Sequence, residues 1–368
     1  MKKSPSRFVK LFKRTAIVLF GIVLAVFIFL LYLSPGKTSP IVDAGGHVIP
    51  NSVAVIENPT IGGIAQTLII RGEHVQNPVL LFVHGGPGIS TFPFIKDAFK
   101  GMEKLFTICY WEQPGAGKSY SGKISPESMT LDQLIQDGTE VSQYLIQKFH
   151  KQKIYILGHS WGTFLGSFMI NKHPGLYYAY IGIGQVGNTI VSEQKSYAFA
   201  VAEARSRNDE KALTQLQQLK MPAPDAGSGE WYKYIMPERK CVFKFGGARY
   251  GVNRKISDLA KPLILCREYT ISDKIYYQAG VTFSFLHLWK YMLQHKNLTV
   301  ALPEQHIPVY IFQGIHDHQT DFAVAKDYFD HLKAPVKKFY AFEHSAHSPH
   351  VEEYDAFEKI IRADVLNK

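Results

Sequence analysis

The sequence predicts an α/β protein. It would have a mostly parallel sheet covered by helices on both faces, an inserted helical cap, and a membrane-spanning helix ahead of them. Three observations carry this. Strand-length apolar runs alternate with helix-length periodic segments over residues 51–187 and again over 301–368, the rhythm of a parallel sheet with crossover helices. That rhythm stops between residues 188 and 300, where long helical patterns and dense aromatics take over. Residues 16–33, AIVLFGIVLAVFIFLLYL, form an uncharged run of eighteen.

The apolar run reaches the lower range needed to cross a bilayer and exceeds the roughly 7–15-residue core of a cleaved signal. It has no polar face, so a buried helix of the fold is a poor reading. Lys2, Lys3, Arg7, Lys10, Lys13 and Arg14 precede it without one acidic residue, and only Lys37 follows within twenty. That asymmetry places residues 1–14 in the cytoplasm, an uncleaved signal anchor at 15–33, and the rest of the chain on the extracytoplasmic side. These six charges make up more than half of the net +10. The remainder forms no basic stripe interleaved with aromatics, so nucleic acid is not an expected partner.

After a Pro/Gly/Ser-containing linker at 34–50, SVAVIE and AQTLIIRG read as a strand pair turned at Gly62-Gly63. NPVLLFVHGGPG is a buried strand entering a glycine-rich loop, and LFTICYWEQPGAGKS repeats that plan. SMTLDQLIQDGTEVSQYLIQKF has helical periodicity with Thr130 as N-cap. KIYILG, a helix from about Trp161 to His173, and YAYIGIGQ continue the alternation. In the cap, AVAEARSRNDEKALTQLQQL reads as one long helix and MPAPDAGSGEWYKYIMPERK as a loop. IPVYIFQGIHDHQT, a helix at about 321–333, VKKFYAFEHSAHSPH and a closing helix restore the α/β pattern.

IYILGHSWGTFLG (154–166) holds G-x-S-x-G between a strand and a helix, the setting in which that motif presents a nucleophile. Functional groups of open α/β sheets gather at the carboxyl ends of strands. Four such ends here carry Ser160, Asp317, the histidines of FEHSAHSPH, and HGGPG (84–88). The chain order is serine, acid, histidine. In that arrangement Ser160 attacks a carbonyl, His347 moves the proton, and Asp317 orients the imidazole. Asp321 is the substitute acid, and His344 and His350 compete as base. The N–H of Trp161 and one near Gly86 would hold the oxyanion. The histidine-rich stretches lack a carboxylate or cysteine set at metal spacing, and no cofactor is expected. Cys109 reads as a buried small hydrophobe. Whether Cys241 and Cys266 pair is open.

Together HGGPG, WEQPGAGKSY (111–120), GHSWG (158–162), GIHDHQT (314–320) and SAHSP (345–349) resemble the proline iminopeptidase branch of the α/β-hydrolase superfamily. The resemblance runs over about residues 50–366. It implies an α/β-hydrolase fold and a serine peptidase acting on N-terminal, proline-type residues of short peptides. Members usually carry D-Q-R-G-x-G-x-S where this chain has Glu112 and Pro114 in place of the aspartate and arginine. The family's peptidases hold the substrate ammonium with cap carboxylates; Glu193, Glu203, Glu230, Glu238 and Glu268 are the candidates, with Glu193 and Glu230 nearest the loop-like stretches. Gly85, Glu112 and Gln113 stand at further substrate-binding positions. Trp231, Tyr232, Tyr234 and Trp289 would line a pocket or form the cap's own core. An esterase or amidase on a small acyl substrate is the alternative. Epoxide hydrolase and dehalogenase chemistry is disfavoured, since in this superfamily those need aspartate where Ser160 stands.

Overall fold

The computed structural model describes residues 7–251 and 257–367. Lys2 and Lys3 of the basic segment lie outside the described residues. The chain begins with α1 (Arg7–Tyr32) and then forms β1 (Val53–Glu57), β2 (Thr60–Ile61), β3 (Ile64–Ala65), β4 (Leu68–Gly72) and β5 (Val79–Val83). Next come α2 (Phe92–Ile95), β6 (Thr107–Trp111), α3 (Leu131–Lys148), β7 (Ile154–His159), α4 (Trp161–Lys172) and β8 (Tyr177–Ile183). Six helices follow among the described residues: α5 (Thr189–Ser206), α6 (Glu210–Gln217), α7 (Ser228–Lys244), α8 (Ser257–Leu265), α9 (Ile271–Gln294) and α10 (Leu298–Ala301). The chain closes with β9 (Val309–Gly314), α11 (Phe322–His331), β10 (Lys337–Phe342), α12 (Pro349–Glu352) and α13 (Tyr354–Ile360).

Eight strands form one sheet in the order β1-β4-β6-β5-β7-β8-β9-β10. β1, β4 and β6 pair antiparallel; every pairing from β6 through β5 to β10 is parallel. The carboxyl ends of β5, β7, β8, β9 and β10 therefore share one edge. Strands buried on both faces explain the unbroken apolar runs. Val79, Leu81 and Val83 of β5 enter the core under α3 and α4, whereas Leu80 and Phe82 face α2 and α13. Thr130 caps α3 by accepting from the Gln133 N–H at 3.1 Å.

Three local readings change. Gly62-Gly63 closes the small β2–β3 ribbon, and β1 meets β4 beyond it. The long cap helix breaks at Asn208, which has φ 53°, and Asp209 caps α6. The second half of the stretch expected to be a loop is helical, opening α7 at Ser228 with Pro237 inside it. Trp231, Tyr234, Ile235, Glu238, Cys241 and Val242 are buried along one face of α7; that 3.6-residue spacing outweighs the proline. Cys241 and Cys266 are buried and unpaired. Cys241 joins the small core of α5, α6 and α7, while Cys266 belongs to the core shared with α2 and α13.

α1 holds an apolar stretch, Leu11–Tyr32, long enough to cross a membrane and not buried against the rest of the chain.

Candidate active site

The tightness of the β7–α4 junction explains its glycines. β7 ends at His159 and α4 begins at Trp161, so Ser160 alone makes the turn, at φ 56° and ψ −122°. L-residues rarely occupy that region. Ser160 is held there by its N–H donating to the Ile183 carbonyl at 2.9 Å, and by its own carbonyl accepting from Thr163 N–H and Oγ1 at 2.7 Å each. A Cβ on Gly158 would lie 2.4 Å from the Gly162 carbonyl oxygen, and one on Gly162 would lie 2.0 Å from that of Val83. G-x-S-x-G is thus the footprint of a helix leaving directly over its own strand and its neighbour. Gly162→Ala is expected to destabilise the fold by roughly 1–3 kcal/mol or more, although alanine ordinarily gains about 0.5–1 kcal/mol over glycine inside a helix. Chemical denaturation checks the sign.

Asp317 follows β9 and His347 follows β10. The Nδ1 of His347 lies 2.9 Å from Asp317 Oδ2. Asp317 is fully buried and also accepts from Gln313 Nε2 (2.8 Å), Thr320 Oγ1 (2.8 Å), Gln319 N–H (2.8 Å) and Thr320 N–H (3.0 Å). Burial pushes its carboxyl up, but His347 and the Thr320 donors outweigh that, and the net direction is down. The alternatives separate by position. Asp321 caps α11, accepting from the N–H groups of Ala323 and Val324. His344 is exposed beside Tyr250. His350 is buried among Phe99, Phe357 and His159, with both ring nitrogens unpartnered and burial driving its pKa down.

HGGPG continues β5 and runs beside Ser160. A Cβ on Gly85 would lie 3.1 Å from that of Ser160, so this glycine backs the serine. Gly86 has φ 122° and lines the cavity above Ser160 together with Trp161. The Trp161 N–H opens α4, where the helix supplies no acceptor. Gln113 braces this region. Its N–H donates to His84 Nε2 (3.2 Å), its side-chain amide to the His84 carbonyl (3.1 Å), and its Oε1 accepts from Trp161 Nε1 (3.1 Å). Burial lowers the His84 pKa to about 4; the neutral ring's partners assign its proton to Nδ1, toward the Gly85 carbonyl at 2.9 Å.

Four positions expected to touch substrate, Gly85, Glu112, Gln113 and Glu230, are not among the residues that line the cavity. Glu112 is buried, accepting from Ser90 Oγ (2.5 Å), the Tyr269 hydroxyl (2.7 Å) and the Lys118 N–H (2.9 Å). It ties two loops to the segment before α9, because the three donors converge on both of its carboxylate oxygens. Gln113 likewise spends its side chain on His84 and Trp161 and is not among the cavity's lining residues. Glu230 is also elsewhere: it is exposed in the first turn of α7, a position that favours an acid at a helix N-terminus.

Glu193 does reach the cavity. The space is about 100 Å³ and is walled by Val186, Ile235, Met236, Phe285, Trp289 and others, with Ser160 at its base. Glu193 Oε1 accepts from Arg239 at 2.5 Å, and its Oε2 is buried without a partner. Arg239 also donates to Glu238 Oε2 at 2.7 Å, and Glu238 Oε1 accepts from Ser196 at 2.6 Å. Burial pushes the Glu193 carboxyl up against the pull of Arg239. Among the other cap carboxylates, Glu203 pairs with Arg207 and Glu268 with Lys96. Trp289 lines the cavity, while Trp231 is fully buried cap core. Sequence reasoning missed Arg239 and Thr320. Arg239 stands 46 residues from its partner Glu193, a separation that leaves no local pattern. Thr320 sits three residues after Asp317, at the spacing of a side chain closing its own turn, and was the more legible of the two.

The sheet order, the serine elbow and the crossing helices are those of the α/β-hydrolase fold family, and residues 78–354 match that family's model. The chain belongs to the α/β-hydrolase family. Among its relatives is a protein named probable aminopeptidase YbaC of Bacillus subtilis strain 168. It is 33% identical over 310 residues, which cover 83% of this chain and 94% of that one. A proline iminopeptidase of Heyndrickxia coagulans is 26% identical over 294 residues, covering 79% and 90%. The solved proline iminopeptidase of Mycobacterium smegmatis shares the fold with a TM-score of 0.58 at 15% identity, covering 84% and 96%.

Proposed function

We propose that this chain is a membrane-anchored serine aminopeptidase that releases an N-terminal, proline-type residue from short peptides. Ser160 Oγ attacks the carbonyl carbon of the first residue while His347, through the nitrogen that does not face Asp317, takes the hydroxyl proton. The N–H groups of Trp161 and Gly86 hold the developing oxyanion. His347 returns the proton to the leaving amine, and water repeats the cycle on the acyl-enzyme. Asp317 keeps the imidazole in the working tautomer.

The observation that carries the peptidase reading is Glu193, a lining residue of the cavity that holds Ser160, whose Oε2 is buried without a partner. A buried acceptor without a donor is costly. Glu193 and Glu238 face one guanidinium, so the cluster has one carboxylate more than its cations balance. The ammonium of a free N-terminus supplies both the missing donor and the missing charge. The small apolar cavity favours one compact residue beyond it. The aminopeptidase and proline iminopeptidase names of the relatives point the same way. The apolar wall of Phe285 and Trp289 favours the second reading, an esterase or amidase on a small acyl group.

The anchor reading rests on the apolar part of α1 and the basic residues at its start; on that reading the hydrolase faces the extracytoplasmic side. The test uses the detergent-solubilised full chain and its Ser160→Ala variant on a prolyl anilide, its N-acetyl form and a short acyl ester. Turnover of the free-amine anilide alone, lost in the variant, is the expected result. Turnover of the ester alone overturns the peptidase reading. Equal activity of both proteins overturns Ser160 as nucleophile.

A further inference from the structure

The end of the apolar N-terminal helix is stitched to one corner of the cap. The Tyr32 carbonyl accepts from Arg267 at 3.2 Å, and the Arg267 guanidinium lies over the Tyr32 ring, 5.1 Å from its centre. The Arg267 carbonyl in turn accepts the N–H groups of Gly36 (3.0 Å) and Lys37 (3.3 Å). Lys274 Nζ donates to the Leu33 carbonyl (3.0 Å), Ser34 Oγ (2.8 Å) and the Ile264 carbonyl (2.7 Å). One ammonium thus joins the exit of α1, the end of α8 and the first turn of α9. A tether that only held the enzyme near a membrane would need no such docking.

Around this joint the cap exposes large apolar side chains. Ile264 is 47% exposed, Leu265 45%, Tyr276 56% and Ile275 68%. They sit among Lys37, Lys261, Arg267 and Lys274. Apolar and aromatic side chains mixed with basic ones form the pattern of a surface seated at the headgroup–acyl boundary. From Thr15, just past the last charge, α1 runs to Tyr32, about 27 Å of helix at 1.5 Å per residue, close to a hydrocarbon core of about 30 Å. Tyr32 then lies at the outer boundary, and the residues tied to it lie at the same level.

We infer that the cap corner formed by the end of α8 and the start of α9, with Ile264, Leu265, Ile275 and Tyr276, rests on the lipid surface of the membrane that α1 enters. This inference rests on the anchored reading given above. The domain is then held in one orientation rather than swinging on a tether. α9 carries that orientation to the cavity, because Phe285 and Trp289, lining residues, lie on the helix that starts at the lipid.

The test reconstitutes the full chain, with a fluorophore on one introduced cysteine, into phosphatidylcholine–phosphatidylglycerol vesicles containing shallow spin-labelled lipid. Cys109, Cys241 and Cys266 are buried, so the introduced thiol is the accessible one. The three sites are Ile275→Cys on the proposed face, Phe29→Cys in α1, and Val300→Cys. Val300 is exposed beyond the far end of α9, whose 24 residues span about 36 Å. Quenching at 29 and 275 with none at 300 is the expected result. Quenching at 29 without 275 overturns the lipid-facing corner and leaves the anchor intact. Quenching at 275 and 300 alike overturns a specific face. No quenching at 29 overturns the anchor reading, and the inference with it.

Discussion

Ser160→Gly is expected to abolish hydrolysis and raise the melting temperature together. The activity loss should be about 10⁴-fold or more, the scale on which a nucleophile's removal leaves only binding and oxyanion stabilisation. The stability gain comes from the backbone. At φ 56° and ψ −122° a residue with a Cβ carries about 1–3 kcal/mol of strain, whereas glycine occupies that region freely. The greater freedom of glycine in the unfolded chain offsets roughly 0.5–1 kcal/mol of this. The bonds that hold the turn use backbone atoms of residue 160 and survive the change: its N–H to Ile183, and its carbonyl to Thr163 N–H and Oγ1. A net gain of about 1 kcal/mol, a rise of roughly 1 °C for a chain of this size, is readable by calorimetry beside Ser160→Ala, which keeps the strain. A lower melting temperature for the glycine variant would mean that the serine side chain stabilises the turn, and the stored-strain account would fall.

The elbow was legible because its motif is local, although Ile183 and Val83 of the neighbouring strands help to shape it. The strand end, the serine, the helix start and both glycines lie within residues 158–162; the clash a Cβ would cause at Gly158 follows from the strand-to-helix reversal, whereas the one at Gly162 is with the Val83 carbonyl of neighbouring β5. The carboxyl-end rule likewise puts Ser160, Asp317 and His347 at one edge, since parallel strands place their ends together; within that set the hydrogen bond observed is the one between His347 and Asp317. What separated Asp317 from Asp321 was not in the local pattern. The two lie four residues apart, both in a turn before a helix, and only the start of α11 decides which of them caps it.

Other parts failed for identifiable physical reasons. Pro237 and the Pro/Gly-rich approach to Ser228 suggested a loop, yet burial of one face of α7 outweighed the missing hydrogen bond. Glu112 sits in a motif next to the site and was read as touching substrate; Tyr269, 157 residues away, claims its carboxylate instead. The pairing of Glu193 with Arg239 depends on how α5 packs against α7. No spacing rule relates charges on two cap helices. The docking of residues 32–37 on α8 and α9 is of the same kind, because a linker's composition says nothing of what it lies against.

Glu193→Gln should separate recognition of the amine from the hydrolytic step. A charge-assisted hydrogen bond contributes about 1.5–3 kcal/mol, so kcat/KM for a free-amine prolyl anilide should fall roughly 10- to 150-fold, chiefly through KM. An N-acetylated anilide or a short ester should be unaffected. Gln keeps an oxygen for Arg239, and Glu238 still faces that guanidinium at 2.7 Å, so the fold should survive; a thermal scan controls for this. The pH profile adds a second discriminator. Burial raises the Glu193 carboxyl above its ordinary value, so its charge is lost on acidification earlier than that of an exposed glutamate. KM for the free-amine substrate should therefore climb as pH falls through that raised value, an arm absent from the ester profile and flattened in the variant. An effect on the hydrolytic step itself would fall on all substrates alike and could not produce the difference. The same shift works against stability in the other direction: a buried acid whose folded pKa is raised costs stability as pH rises through the window between its ordinary and folded values, and Glu193→Gln should remove that slope. If the variant loses activity equally on amine, acetylated and ester substrates, Glu193 is only the structural partner of Arg239, and the ammonium must be held elsewhere.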